Sequence, residues 1–377
     1  MSPLPLAALA DDFSGAAEIA GIAHTAGLRT FISGSFGSHR PPEGTEAWVI
    51  DMDTRRKEPR ECIFTLAQLD WQLLGKARRL YKKTDSALRG HILLETREIL
   101  GLSPMEDARF IPANPARNRF IRDGRYSING IPLHQTEFAR DPNFPAHTDD
   151  VENLLRERCP GGWKLNPFWK IPDIESQQDL EAEAQDLAPR ELPAGASPFF
   201  AACLQAWGMR AGTNQPSPPT WDSAILVSGS LSANAAETAT LFRSKGLQVF
   251  ETDPREPNVE PQPGPARPWM LKLMPETLPA PHSLPALLAG RLFHHTAKHG
   301  LPRHLLIEGG DTAAAILEKY AWQDFTVIHQ WEPGITTIKP TSKIAPLITT
   351  KPGSYPWPEE LLGALLQRSG GFAETPS

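Results

Sequence analysis

Cysteine is scarce. The 377-residue chain holds three, Cys62, Cys159 and Cys203, far apart and in no Cys-x-x-Cys arrangement, which argues against a disulfide framework and for a reducing compartment, the cytoplasm. Charge of one sign is lacking too: there is no long basic run and the net charge is −6, which argues against nucleic acid or an anionic membrane as partner. No stretch approaches the ~20 consecutive apolar residues that span a bilayer. Residues 1–10, MSPLPLAALA, lack the basic start and long apolar run of a signal peptide and lead straight into Asp11-Asp12, so they read as a first buried strand. There is no G-x-x-x-x-G-K-[ST], which excludes a P-loop enzyme, and no G-x-G-x-x-G after the first strand, which leaves a dinucleotide fold unsupported. The absence of G-x-S-x-G counts against an α/β-hydrolase. His295 and His299 have i,i+4 spacing, but no zincin Glu follows and their helix is basic and expected to be exposed, so a metal role is not favoured.

What is present is a 40% hydrophobic fraction, enough for two packed domains at this length. Proline is abundant, 38 residues, concentrated after residue 100 and suggesting long ordered loops. The boundary falls at residues 213–222, whose Pro, Ser and Thr content is that of a linker, giving domains at 1–212 and 223–377. In the first, the pattern predicts strands at 4–10, 30–33, 47–51, just before Lys82 and at 110–113, with helices at 16–26, 64–80, 149–158, 177–187 and 199–207. Ser14 is the expected N-cap of the first helix. Residues 114–145 read as a long ordered loop. In the second, strands are expected at 224–227, 248–250, 304–307, 326–329, 336–338 and 347–349, with helices at 233–245, 284–299, 313–320 and 358–367, an irregular Pro-rich stretch at 254–268 and a frayed end. Strands alternating with helices imply an α/β fold, each domain a mostly parallel sheet flanked by helices.

The segment 81–90, Tyr-Lys-Lys-Thr-Asp-Ser-Ala-Leu-Arg-Gly, packs two ammonium groups, a carboxylate, two hydroxyls and a guanidinium into one turn between a strand and a helix. It suits a small, anionic, hydroxylated ligand, and it also reads as a charged surface turn with Thr84 or Ser86 as cap. Asp11-Asp12 and Asp51/Asp53/Arg55 lie at two further strand ends, where α/β sheets bind ligands. The second domain repeats one device, a strand entering a small-residue turn from which a helix starts, at residues 228–232 and 309–312; glycines and helix amides there suit a phosphate. Asp311 is compatible with holding Mg²⁺ through water and with capping the helix.

These residues carry a resemblance. Ala10-Asp11-Asp12-Phe13-Ser14-Gly15-Ala16 resembles the ADDLTGA opening of the four-carbon acid sugar kinase family, and residues 82–90 resemble its KKTDSTLRG. Gly130-Ile131-Pro132-Leu133 with Thr136-Glu137 and Asp141-Pro142 is similar to its GxPLxxT and DP segments. Gly229-Ser230-Leu231-Ser232, Gly309-Gly310-Asp311-Thr312-Ala313, Glu332-Pro333-Gly334 and Lys351-Pro352-Gly353-Ser354 follow its later motifs in order, the last departing where the family has a second glycine.

The resemblance implies an ATP-dependent kinase of tetronates, threonate, erythronate or 3-oxo-tetronate among them. The first domain would hold the acid sugar, the second the nucleotide, with an active-site cleft between them. ATP would contact Ser230, Ser232, Gly309, Gly310, Asp311, Thr312 and Gly353, with Mg²⁺ near Asp311. The acid would meet Asp11, Asp12, Ser14, Gly15, Lys83, Asp85, Ser86 and Arg89, its carboxylate on Arg89, Lys83 and the amides at Ser14-Gly15. Asp85, ahead of Asp12, is the expected general base, kept ionised by Lys83 and Arg89. A homodimer is compatible with the sequence. The rival readings are a binding protein that lost the kinase step and another α/β enzyme acting on sugar acids, such as a dehydratase or aldolase.

Overall fold

The computed structural model describes residues 4–34, 40–159, 169–209, 223–253, 268–274, 284–353 and 355–367; the expected linker, most of the Pro-rich stretch, Ser354 and the chain end lie outside them. The chain divides into two compact units, Met1–Asn214 and Gln215–Ser377.

The first unit runs β1 (Leu6–Ala10), α1 (Phe13–Thr25), β2 (Thr30–Ser33), β3 (Ala47–Asp51), α2 (Pro59–Ala67), α3 (Trp71–Leu74), β4 (Arg79–Lys83), α4 (Ile92–Leu102) and β5 (Asp107–Ile111). There follow β6 (Arg119–Arg122), β7 (Arg125–Ile128), β8 (Ile131–Pro132), α5 (Val151–Glu157), α6 (Gln177–Gln185), β9 (Glu191–Gly195) and α7 (Ser197–Ala206). Its parallel sheet has the order β2-β3-β1-β4-β9-β5. β1, Leu-Ala-Ala-Leu-Ala, is wholly buried, as a central parallel strand covered on both faces requires. Leu9, Trp48, Ile50, Leu66, Leu80 and Ile99 share one core cluster.

Several expectations are corrected. The helix expected over 64–80 is two short helices, because Asp70 accepts from Leu73 N at 3.0 Å and caps a new start. Asp12, not Ser14, caps α1: its backbone is extended and its carboxylate accepts from Gly15 N at 2.8 Å. The loop expected over 114–145 contains a small antiparallel sheet, β6-β7-β8. β9 was not foreseen, since Pro193 and Gly195 argue against an interior strand; it lies between β5 and β4 and pairs with β4 only at Lys82 and Lys83.

The second unit runs β10 (Ala224–Ser228), α8 (Ala233–Ser244), β11 (Val249–Thr252), β12 (Trp269–Leu273), α9 (Leu284–His299), β13 (His304–Glu308) and α10 (Gly310–Lys319). β14 (Asp324–Glu332), β15 (Ile335–Pro340), β16 (Leu347–Lys351) and α11 (Glu359–Gln367) complete it. Within this unit the order is β11-β12-β10-β13-β16-β15-β14. The first five strands are parallel; β15 and β14 are antiparallel. β12, another unforeseen strand, is a five-residue apolar run too short for periodicity to type. Leu226, Phe242, Met270, Leu306, Trp357 and Leu361 pack together in the core. His295 is buried, not exposed as expected, because α9 turns it against the edge of Trp269, ring centres 4.9 Å apart.

Candidate active site

Parallel pairing aligns three strand ends of the first unit. Ala10 lies opposite Asp51 on one side and Lys83 on the other, so Asp11-Asp12, Asp51 and Thr84-Asp85 emerge side by side. The chain after β3 folds back over β1: Thr54 N and Arg55 N both donate to the Asp11 carbonyl, at 2.9 and 3.0 Å. Asp53, with φ of +48°, donates its amide to Asp51 Oδ1 at 2.9 Å, a side-chain-closed turn. Arg55 is thereby aimed at the centre. It forks onto Asp11 at 2.8 and 3.0 Å and reaches Asp12 Oδ2 at 2.5 Å. Asp85 Oδ1 lies 3.8 Å away.

Asp85 accepts two bonds from the Arg89 guanidinium at 2.9 Å each and one from Ala87 N at 2.9 Å. The turn that allows this needs positive φ at Leu88 and at Gly90, +64° and +92°. A Cβ on Gly90 would stand 3.0 Å from Asp11 Oδ2, so glycine is required there on two counts. Strand alternation sends the two lysines to opposite faces: Lys82 pairs with buried Glu95 at 2.6 Å, and Lys83 with Glu18 at 3.4 Å.

Electrostatics separate the carboxylates. Burial works against ionising Asp85, but Arg89 and Arg55 outweigh it and hold the group well below the usual carboxylate range. Asp11 is likewise held low by Arg55 and Lys82 against burial. Asp12 is pushed up by burial and by Asp11, more than Arg55 offsets. Asp51 is pushed well up by burial and by Asp53 and Asp12. Asp12 is also the more open, its side chain 25% exposed against 10% for Asp85. The expectation that Lys83 and Arg89 keep Asp85 ionised fits this picture, but the same contacts occupy its oxygens.

The β6-β7 hairpin comes down on the turn after β4. Tyr126 Oη donates to the Ser86 carbonyl at 2.5 Å and to that of Pro112 at 3.3 Å. Arg119 donates to Ser86 Oγ at 2.5 Å, and Arg119 and Arg89 both stack on Phe138, 5.7 Å from its ring centre. Arg158 donates to the carbonyls of Leu88, Phe144 and Pro145, and burial lowers its pKa to about 10.

In the second unit three strand ends likewise converge. Gly229 N donates to Glu308 O at 3.1 Å and Gly309 N to Lys351 O at 2.9 Å. Ser230 and Ser232 hydroxyls meet at 2.9 Å and both bond Gly353 O, at 3.3 and 3.1 Å. Gly309 adopts φ of +102° at the start of α10, Ser232 caps α8, and a Cβ on Gly229 would stand 1.9 Å from Thr312 Oγ1. The structure thus brings Ser230, Ser232, Gly309, Gly310, Thr312 and Gly353 together. Asp311 stands exposed in the first turn of α10. Among the described residues no three His, Cys, Asp or Glu form a group able to hold a metal. Beneath the cluster, Lys351 and Glu308, both fully buried, pair at 3.0 Å, and burial lowers the Lys351 pKa despite Glu308.

Sequence reasoning places Arg55 only among polar groups at a strand end, and it omits Glu18, Arg119, Tyr126, Arg158 and Glu308 from the site. An i,i+3 carboxylate such as Glu18 facing a strand-end lysine leaves a helical-spacing signal; Arg119, brought in by a hairpin, leaves none.

Residues 6–191 match the family of sugar-binding N-terminal domains, which spans the whole Asp11–Arg89 cluster and the hairpin. The first unit belongs to that family. With its motifs in order along both units, the chain as a whole is similar to the four-carbon acid sugar kinases. It is 29% identical to a protein of Cupriavidus necator named D-threonate kinase, over 66% of each chain, so the match spans just under two thirds of that relative. It is 22% identical to a Brucella melitensis protein named 3-oxo-tetronate kinase over 90% of each chain. The solved structure of Haemophilus influenzae protein HI1011 is 19% identical and has the same fold, with a TM-score of 0.70 over 96% of this chain and 99% of that one. No described helix is long and apolar enough to cross a membrane.

Proposed function

We propose that the protein is an ATP-dependent kinase that phosphorylates a hydroxyl of a four-carbon sugar acid, a tetronate or 3-oxo-tetronate. The observation that carries this is the pairing, on one chain, of a fixed acid-base cluster in the first unit with a glycine and serine cradle in the second. The names of the relatives support the same reading.

The cradle fits a polyphosphate. At Gly229 a Cβ would collide with Thr312, and at Gly309 the φ of +102° disfavours any side chain, so the backbone stays bare, and the amino ends of α8 and α10 favour negative charge there. Ser230, Ser232, Gly309, Gly310, Thr312 and Gly353 would hold the nucleotide. Mg²⁺ bound to phosphates needs only one or two protein carboxylates, and Asp311 is the candidate. When bound, ATP supplies the phosphoryl group and Mg²⁺ neutralises its charge.

Asp12 takes the proton of the attacking hydroxyl. Of the three carboxylates around Arg55 it is the most accessible and the one whose pKa is raised, which suits a base better than the strongly held Asp85. Asp85 instead fixes Arg89, and Arg55 fixes the Asp11-Asp12 pair. Ser14 and Ser86 line the same turns and offer hydroxyl groups to the acceptor.

The test is a panel of D-threonate, D-erythronate and 3-oxo-tetronates with ATP and Mg²⁺, followed by mass spectrometry of the acid. Gain of one phosphoryl group on a member of the panel is expected. Tetronate binding without turnover would mark a non-catalytic acid-sugar-binding homologue, and no binding at all would end the reading. The family reading also carries a homodimer and a cytoplasmic location, checked by light scattering and cell fractionation.

A further inference from the structure

We infer that Arg119 and Asn114, on the hairpin side of the site, recognise the carboxylate and an adjacent hydroxyl of the acceptor, and so make the site selective for acids over neutral polyols. The inference rests on the acid-sugar reading above.

The other cations of the site are engaged. Arg55 is shared among Asp11, Asp12 and Asp85. Arg89 is taken by Asp85 and, at 3.6 Å, by Asp141. Lys83 is taken by Glu18 and by the Thr84 carbonyl at 3.0 Å. Arg158 spends its donors on three carbonyls. The amide expected to receive the carboxylate, Gly15 N, already donates to Asp12.

Arg119 differs. Its guanidinium is half-buried and, among the described residues, makes one hydrogen bond, to the neutral Ser86 Oγ, and no ion pair. Phe138 supports it from one side. A guanidinium stays charged at any working pH and offers a planar pair of donors to a carboxylate. Withdrawn from water without an anion it is costly, so an anionic ligand is the missing partner.

Asn114 supplies the second observation. It is 8% exposed, and its side-chain oxygen has no hydrogen-bond partner among the described residues. Its backbone N and O exchange bonds with those of Arg119, at 2.9 and 3.0 Å. Directly opposed residues of an antiparallel pair project to one face, so the orphaned acceptor and the unpaired cation stand together. A 2-hydroxy acid presents the matching set, a carboxylate beside a hydroxyl donor.

The experiment compares wild type, Arg119→Met, Arg119→Lys and Asn114→Ala on the accepted tetronate and on the tetritol of the same configuration. For Arg119→Met, kcat/KM on the acid is expected to fall about 10- to 100-fold, the scale of a charge-assisted hydrogen bond, mostly through KM, with the tetritol changed less than about threefold on that same scale. Arg119→Lys is expected to recover part of the loss, and Asn114→Ala to weaken acid and tetritol alike. Equal losses on acid and tetritol for Arg119→Met, or an unchanged KM for the acid, would overturn the inference. Calorimetric titration of tetronate without nucleotide reads the same affinities. If wild type never phosphorylates the acid, the kinase reading fails while this titration still decides the role of Arg119.

Discussion

At the scale of single residues, the site is a set of carboxylates that differ in what surrounds them. Asp85 is saturated by Arg89 and Ala87; Asp12 is raised and more open. Asp12→Asn is therefore expected to cut kcat by ~100-fold or more, the usual contribution of a general base, with little change in KM. Asp85→Asn releases Arg89 and is expected to raise the KM for the acid instead. Steady-state kinetics of the two variants checks the assignment; the reverse pattern would return the base to Asp85. Asp51 offers a test in stability. Its folded pKa is raised by burial and by Asp53 and Asp12, above an unfolded value of about 3.9. Between those values the folded protein holds the extra proton, so stability falls as pH rises through the window. Asn cannot titrate and keeps the acceptor for Asp53 N. Asp51→Asn is expected to raise the urea midpoint of the first unit at pH ~8, with the gain gone by pH ~3, below both titrations. An equal gain at both pH values would assign the effect to packing.

At the scale of elements, the strand-turn-helix starts of the second unit depend on backbone approach. A Cβ on Gly229 would fall 1.9 Å from Thr312 Oγ1 and 3.2 Å from its Cβ. Gly229→Ala is expected to push β10 and α10 apart, lowering the melting temperature and raising the KM for ATP. Thr312→Ala removes the hydroxyl that collides, so the double variant is expected to recover part of the loss, a coupling that a cycle of thermal melts detects. Additive losses would place the strain elsewhere. These turns were legible in the sequence because glycine and serine at a strand end have few other uses. So was β1, whose unbroken apolar run precedes two aspartates. β9 was not, because Pro193 and Gly195 read as a loop until β5 is present to pair with them. Nor was the short α3, whose start depends on the single Asp70 cap. The hairpin that carries Arg119 and Tyr126 buries a single opposed pair, Ile121 and Tyr126, and Tyr126 ties it to Ser86 and Pro112 by bonds made across 40 and 14 residues of sequence. Contacts of that separation leave no local pattern to read.

For the whole molecule, the acid-base cluster and the glycine cradle belong to different units, Met1–Asn214 and Gln215–Ser377, so the two ligands should leave separable footprints. A ligand slows hydrogen exchange where it binds because it stabilises the closed amides there against local opening. With tetronate alone, protection is expected over 83–90 and 114–126, the turn after β4 and the hairpin. With ATP and Mg²⁺ alone, it is expected at 229–236 and 309–313, the amino ends of α8 and α10, where helix-end amides would meet phosphate. The Arg119→Met variant should lose the first pattern and keep the second. The experiment is exchange monitored by mass spectrometry on the full chain with each ligand in turn. Protection of the hairpin by ATP but not by tetronate would reverse the assignment of acceptor and donor. Protection of neither 229–236 nor 309–313 by ATP would remove the nucleotide from the second unit and leave a sugar-acid-binding protein.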